Sequence, residues 1–113
     1  MTSIRPAREE DLPRLRDIER TAGRAFADLG MHLVAEDEPP SLDTLRGYAT
    51  DGRAWVRTDD ADRPVAYLLA DVVDGCAHLE QVSVHPDAAG HGYGRELLDH
   101  LVAWARERAL PAI

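Results

Sequence analysis

The run LEQVSVHPDAAGHGYGRELLDHLVAWARER, residues 79–108, decides how the rest of the chain is read. It opens as a strand that ends at His85-Pro86, and a glycine-rich turn, Gly90-His91-Gly92-Tyr93-Gly94, follows. A helix is predicted over about 95–108, with Leu97, Leu98, Leu101, Val102, Ala105 and Ala109 on one apolar stripe. Glu96, Asp99, Arg106 and Glu107 fall outside that stripe. Glycines at alternate positions let backbone approach a ligand without interference from a Cβ. The N-terminus of the helix leaves N–H groups unpaired and presents the positive end of the dipole, which favours phosphate. Arg95 adds a full positive charge in that first turn, where it opposes the dipole, and a bound anion would resolve the conflict. A glycine-rich connection that only joins a strand to a helix would carry the same residues. The physics of the turn leaves both readings standing.

Upstream, residues 53–58, 65–73 and 76–84 read as strands, separated by a polar turn at 59–64 and by Asp74-Gly75, a strong two-residue hairpin signal. The N-terminal part gives a short strand at 3–6. A helix follows with apolar positions Leu12, Leu15, Ile18, Ala22, Phe26 and Leu29, with Pro13 in its first turn and Gly30 at its end. Residues 31–40 form a loop with the acidic run Glu36-Asp37-Glu38. Ser41 then caps a short helix carrying Leu42, Leu45 and Tyr48. The expected order is β-α-α-β-β-β-α.

The 113 residues allow one domain, and 44% apolar content is enough for a core. All 13 basic residues are Arg, so a P-loop, which needs Lys, is excluded. The dinucleotide fingerprint fails on spacing, because Arg95 stands where its last glycine belongs when counted from Gly90. A net charge of −8 and a pI near 4.9 disfavour nucleic acid and anionic membranes as partners. No apolar run approaches a membrane span, and the N-terminus carries no signal-peptide pattern. With Cys76 as the one cysteine, a disulfide framework is excluded and a reducing cytoplasm is expected. The histidines lack the spacing of metal ligands, so no metal is expected.

The strand end Val84-His85-Pro86, the turn Ala89 to Gly94 and the long amphipathic helix resemble the acetyl-CoA-binding core of the GNAT superfamily of N-acetyltransferases. The opening SIRPA and the helix EEDLPRLRDIE are similar to that family's usual beginning, so the resemblance covers the chain in order. It implies an α/β (α+β) domain over 1–113, with a mixed, largely antiparallel sheet and helices on both faces. It implies acetyl-CoA as cosubstrate. Backbone at Val82, Ser83 and Val84 would pair with the pantetheine arm, and the turn Ala89, Gly90, His91, Gly92, Tyr93, Gly94 and Arg95 would cradle the pyrophosphate. Ala89 departs from the Gln or Arg usual there and removes one polar contact. The pattern also stops before the family's fifth strand, fourth helix and last two strands. The expectation is a truncated version of a longer protein, or a chain that completes its sheet as a homodimer.

The implied reaction is acetyl transfer to a primary amine of a small molecule or peptide. It needs an amine freed of its proton, an oxyanion donor, and an acid for the thiolate. Glu80 and His78 lie two apart on the fourth strand, so alternation puts both on one face. Glu80, closer to the 82–84 end, is the preferred base and His78 the second. A non-catalytic acyl-CoA-binding or regulatory module is the alternative.

Overall fold

The computed structural model describes residues 4–28 and 40–110. Gly30, the acidic run Glu36-Asp37-Glu38, the side chain of Phe26, Leu29 and the last three residues, 111–113, lie outside that description. Four strands form one sheet: β1 (Ile4–Pro6), β2 (Ala54–Thr58), β3 (Pro64–Val73) and β4 (Cys76–Val84), in the order β1-β2-β3-β4. Every pairing is antiparallel, so among the described residues the sheet is not mixed. The short connections explain this, since a tight hairpin can only return the chain antiparallel. Asp74 and Gly75 both adopt positive φ, 51° and 76°, the geometry that a two-residue hairpin matching strand twist demands.

Helix α1 (Leu12–Asp28), entered through a single tight turn at Glu9–Asp11, and helix α2 (Leu42–Thr50) cover one face. The Ser41 side chain accepts from the Thr44 N–H at 3.1 Å, the predicted cap of α2. Leu12, Leu15 and Ile18 of α1 and Leu45 of α2 pack with Val56, Tyr67 and Leu69 of the sheet. Helix α3 (Tyr93–Glu107) covers the other face, where Leu97 and Leu101 meet Trp55, Ala66, Leu68 and Ala70. Strand alternation assigns each sheet residue to one core or the other.

Two expectations for α3 need correction. The helix begins at Tyr93, with left-handed Gly92 (φ 76°) at its N-cap, two residues before the predicted start. Its apolar stripe is also narrower. Leu97, Leu101 and Ala105 are buried, whereas Leu98 and Val102 are each 37% exposed, and Ala109 lies past the helix end with φ 54°. The flank of α3 carrying His100 and Trp104 packs edge-on against Trp55 of β2, at 5.5 and 5.3 Å between ring centroids. That contact turns the opposite flank, with Leu98 and Val102, away from β2.

Candidate active site

Strand β4 ends beside the mouth of α3, so the strand, the turn and the helix start form one continuous surface. His85 leaves the strand with its Nδ1 accepting the Asp87 N–H at 3.1 Å, and Pro86–Ala88 make one tight helical turn. Gly90 and Gly92 then take positive φ, 86° and 76°, with no other atom within 4 Å of where a Cβ would sit. Glycine at these two positions serves backbone conformation and leaves the surface open. Gly94 differs. It is helical, and a Cβ there would touch Val84 at an ordinary 3.6 Å, so it sits at the junction of strand and helix and not in the turn.

No side chain caps α3. Its first N–H groups therefore face outward from an open turn, the arrangement that suits an anion. Arg95 is exposed and makes no ion pair with a described residue. His91 stacks on Tyr93 at 5.4 Å between centroids, and the Arg57 guanidinium lies 4.3 Å from the Tyr93 centroid. Arg57 is held in turn by Glu96 at 2.9 Å. Tyr93 thus fixes the helix start as part of the second core, and its neighbour His91 lies exposed over it. Ala89 is exposed and extended.

Strand β4 contains a break in register that the sequence did not disclose. Leu69 pairs with Gln81, but Ala70 pairs with Leu79, which leaves Glu80 as an extra residue, a β-bulge. Leu79 packs toward α3, whereas Gln81 shares the opposite face with Leu69. His78 pairs with Asp71, whose carboxylate accepts from Tyr48 of α2 at 2.9 Å, so His78 also belongs to the α1–α2 face. Glu80 is exposed, and its charge helps raise the Tyr48 phenol, which burial first and the Asp71 bond second push up to about 12. The charge of Glu80 thus reaches Tyr48, whose hydroxyl bonds the Asp71 that pairs with His78, while the bulge interrupts the alternation between His78 and Glu80.

Further along the same face the chain assembles a group that sequence reading missed. Ser83 Oγ donates to Oε2 of Glu19 on α1, and the Tyr67 hydroxyl donates to the same oxygen at 3.3 Å. Gln81 Nε2 approaches Ser83 Oγ at 3.5 Å. Burial, then the Glu19 charge, push the Tyr67 phenol far above its ordinary value, so it remains a proton donor. The one local clue was Glu19 itself, next to buried Ile18 on an otherwise apolar helix face. Ser83, 64 residues away, could not be paired with it by periodicity.

Residues 12–113 match the model of the family described as the acetyltransferase (GNAT) family. The peptidyl-lysine N-acetyltransferase YjaB of Escherichia coli is 31% identical over 75 residues, covering 66% of this chain and 48% of YjaB. The chain thus spans about half the length of that relative. The solution structure of apo YjaB superposes with a TM-score of 0.64 at 25% identity, covering 94% of this chain and 67% of YjaB. The PaiA N-acetyltransferase of Thermoplasma acidophilum, solved in complex with coenzyme A, superposes with a TM-score of 0.81 at 14% identity, covering 97% and 75% of the two chains. Among the described residues no helix is long and apolar enough to cross a membrane.

Proposed function

Because this chain belongs to the acetyltransferase (GNAT) family, we propose that it transfers an acetyl group from acetyl-CoA to a primary amine of a small molecule or peptide. The observation that carries the proposal is the uncapped start of α3, opened by two left-handed glycines at the end of a strand edge that no other described strand covers. Coenzyme A has an anionic pyrophosphate followed by an extended amide-bearing arm. The turn Ala89, Gly90, His91, Gly92, Tyr93, Gly94 and Arg95 would meet the first with N–H groups and the Arg95 charge. Outward N–H and C=O groups at Val82, Ser83 and Val84 would meet the second as an added strand. Both contacts use mainly backbone, which is why Ala89 in place of a polar residue is tolerable.

The chemistry follows from the strand. The thioester supplies an activated acyl carbon. The amine nitrogen attacks it, the C–S bond breaks, and the thiolate takes up a proton. The amine must first lose its own proton, and Glu80, exposed at the bulge, takes it directly or through water, with His78 as the second candidate. The net charge of −8 favours a cationic amine over nucleic acid or an anionic membrane as partner, and a single cysteine suits the cytoplasm. The single-domain reading of residues 1–113 belongs to the same proposal.

Two measurements test it. Acetyl-CoA should bind in calorimetry, and Gly92→Val, strained by its positive φ, should abolish binding while the circular dichroism spectrum persists. Unchanged affinity would remove the turn from the site. Release of free CoA thiol over a panel of primary amines tests transfer itself. Binding without release would favour a non-catalytic acyl-CoA-binding module.

A further inference from the structure

The Glu19 carboxylate sits where the acetyltransferase reading puts the acyl donor's flank, and its role as inferred below rests on that reading. Its Oε2 is doubly held, by Ser83 Oγ and by the hydroxyl of fully buried Tyr67. Its Oε1 makes no hydrogen bond to a described residue. The carboxylate is therefore fixed in place with one oxygen still able to accept. Arg14, Arg16 and Arg20 share α1 with it, but none pairs with it. Arg14 donates to the Pro64 carbonyl, Arg16 to the Pro40 carbonyl, and Arg20 lies near Asp17.

Glu19 reaches β4 at Ser83, three residues beyond Glu80, a span of roughly 10 Å between their backbones along the strand. A molecule with an amine at one end and a second cationic group at the other could reach both carboxylates. We infer that Glu19 is a specificity-determining residue, whose free oxygen accepts N–H bonds from a second positively charged group on the acceptor while the reacting amine lies toward Glu80. Tyr67 and Ser83 act through Glu19 as positioning residues. No bond is made or broken at Glu19, so it changes which amine is acetylated and leaves the transfer step itself alone.

The test compares 1,6-diaminohexane with 6-amino-1-hexanol, which keeps the reacting amine and the length but replaces the second ammonium by a neutral hydroxyl. The wild-type chain should favour the diamine in kcat/KM. In Glu19→Gln that preference should fall about tenfold or more, through KM for the diamine. KM for acetyl-CoA should stay unchanged, and KM for the amino alcohol, whose hydroxyl is a weaker donor without charge, should change far less than that for the diamine. Tyr67→Phe, which leaves the carboxylate but frees one of its hydrogen bonds, should lose part of the preference. If wild type shows no preference, or Glu19→Gln weakens both amines and acetyl-CoA alike, Glu19 is only a strut between α1 and β4 and the inference is wrong. Should the chain turn over neither amine, the transfer reading fails by itself, and direct calorimetric titration of the two amines into wild type and Glu19→Gln makes the same comparison. Equal binding of the two amines by wild type then overturns the inference.

Discussion

Glu80 occupies a position that ordinary strand pairing does not supply. Being the extra residue of a bulge, it has no partner across the ladder and stands exposed where β4 changes phase. If it takes the proton from the amine, Glu80→Gln should lower kcat/KM by about 10²-fold near neutral pH. The defect should shrink as the pH approaches the amine's own pKa, near 10 for an alkylamine, because the substrate then arrives already deprotonated. A pH–rate profile parallel to wild type would remove Glu80 from the role and bring His78 forward. At this scale the sequence was legible only where chemistry is local. Gly90 and Gly92 follow from the demands of a tight turn, whereas alternation puts His78 and Glu80 on one face and cannot foresee the bulge that interrupts the strand at Glu80. Spacing groups Gly94 with the two turn glycines, although its backbone is helical. The Glu19–Ser83 contact joins α1 to β4, and nothing in the neighbourhood of either residue announces the other.

Helix α3 shows what periodicity can and cannot deliver. A repeat of 3.6 residues gives the centre of an apolar arc, and Leu97, Leu101 and Ala105 lie there. It does not say how far the arc extends, because that depends on what the sheet places beneath each flank. Trp55 draws His100 and Trp104 inward and leaves Leu98 and Val102 partly in water. Leu97→Ala should therefore cost about 3 kcal/mol of stability, whereas Leu98→Ala should cost less than about 1 kcal/mol, although the two are neighbours in sequence. Urea unfolding of the two variants measures the difference. Equal losses would mean that the helix is rotated from the position described. Shorter elements are more legible in the sequence, for a physical reason. The Asp74-Gly75 hairpin and the Ser41 cap are determined within four residues, so no distant partner could overrule them.

Across the whole molecule, the N-terminal segment is tied to the far turn by ion pairs as well as by β1. Arg5 donates to both carboxylate oxygens of buried Asp11, at 2.7 and 3.1 Å, and also to Asp62 at 2.9 Å. The Arg8 N–H reaches Asp11 at 2.8 Å. Burial works against the Asp11 charge, but Arg5 and the Arg8 N–H outweigh it and hold the carboxyl below its usual range. A folded-state pKa lowered in this way contributes stability that is present above the unfolded value, near 3.9, and is lost as the pH falls through the folded one. Asp11→Asn should destabilise the chain by roughly 3 kcal/mol near neutral pH. Its stability should then fall less steeply than that of wild type between about pH 5 and about pH 2. Urea midpoints across that range decide it, and parallel curves would mean that Asp11 contributes nothing to acid lability. The sheet order carries one more consequence. Strands β2 and β3 are flanked on both sides, while β4 pairs only with β3 among the described residues. In heavy water, amides along β2 and β3 should therefore keep their protons together. Along β4 they should divide, with those bonded to β3 slow to exchange and those pointing outward fast. A ligand that lies along that edge as an extra strand would erase the alternation, so the isotope pattern of a single strand would register whether its outer side is wet or occupied.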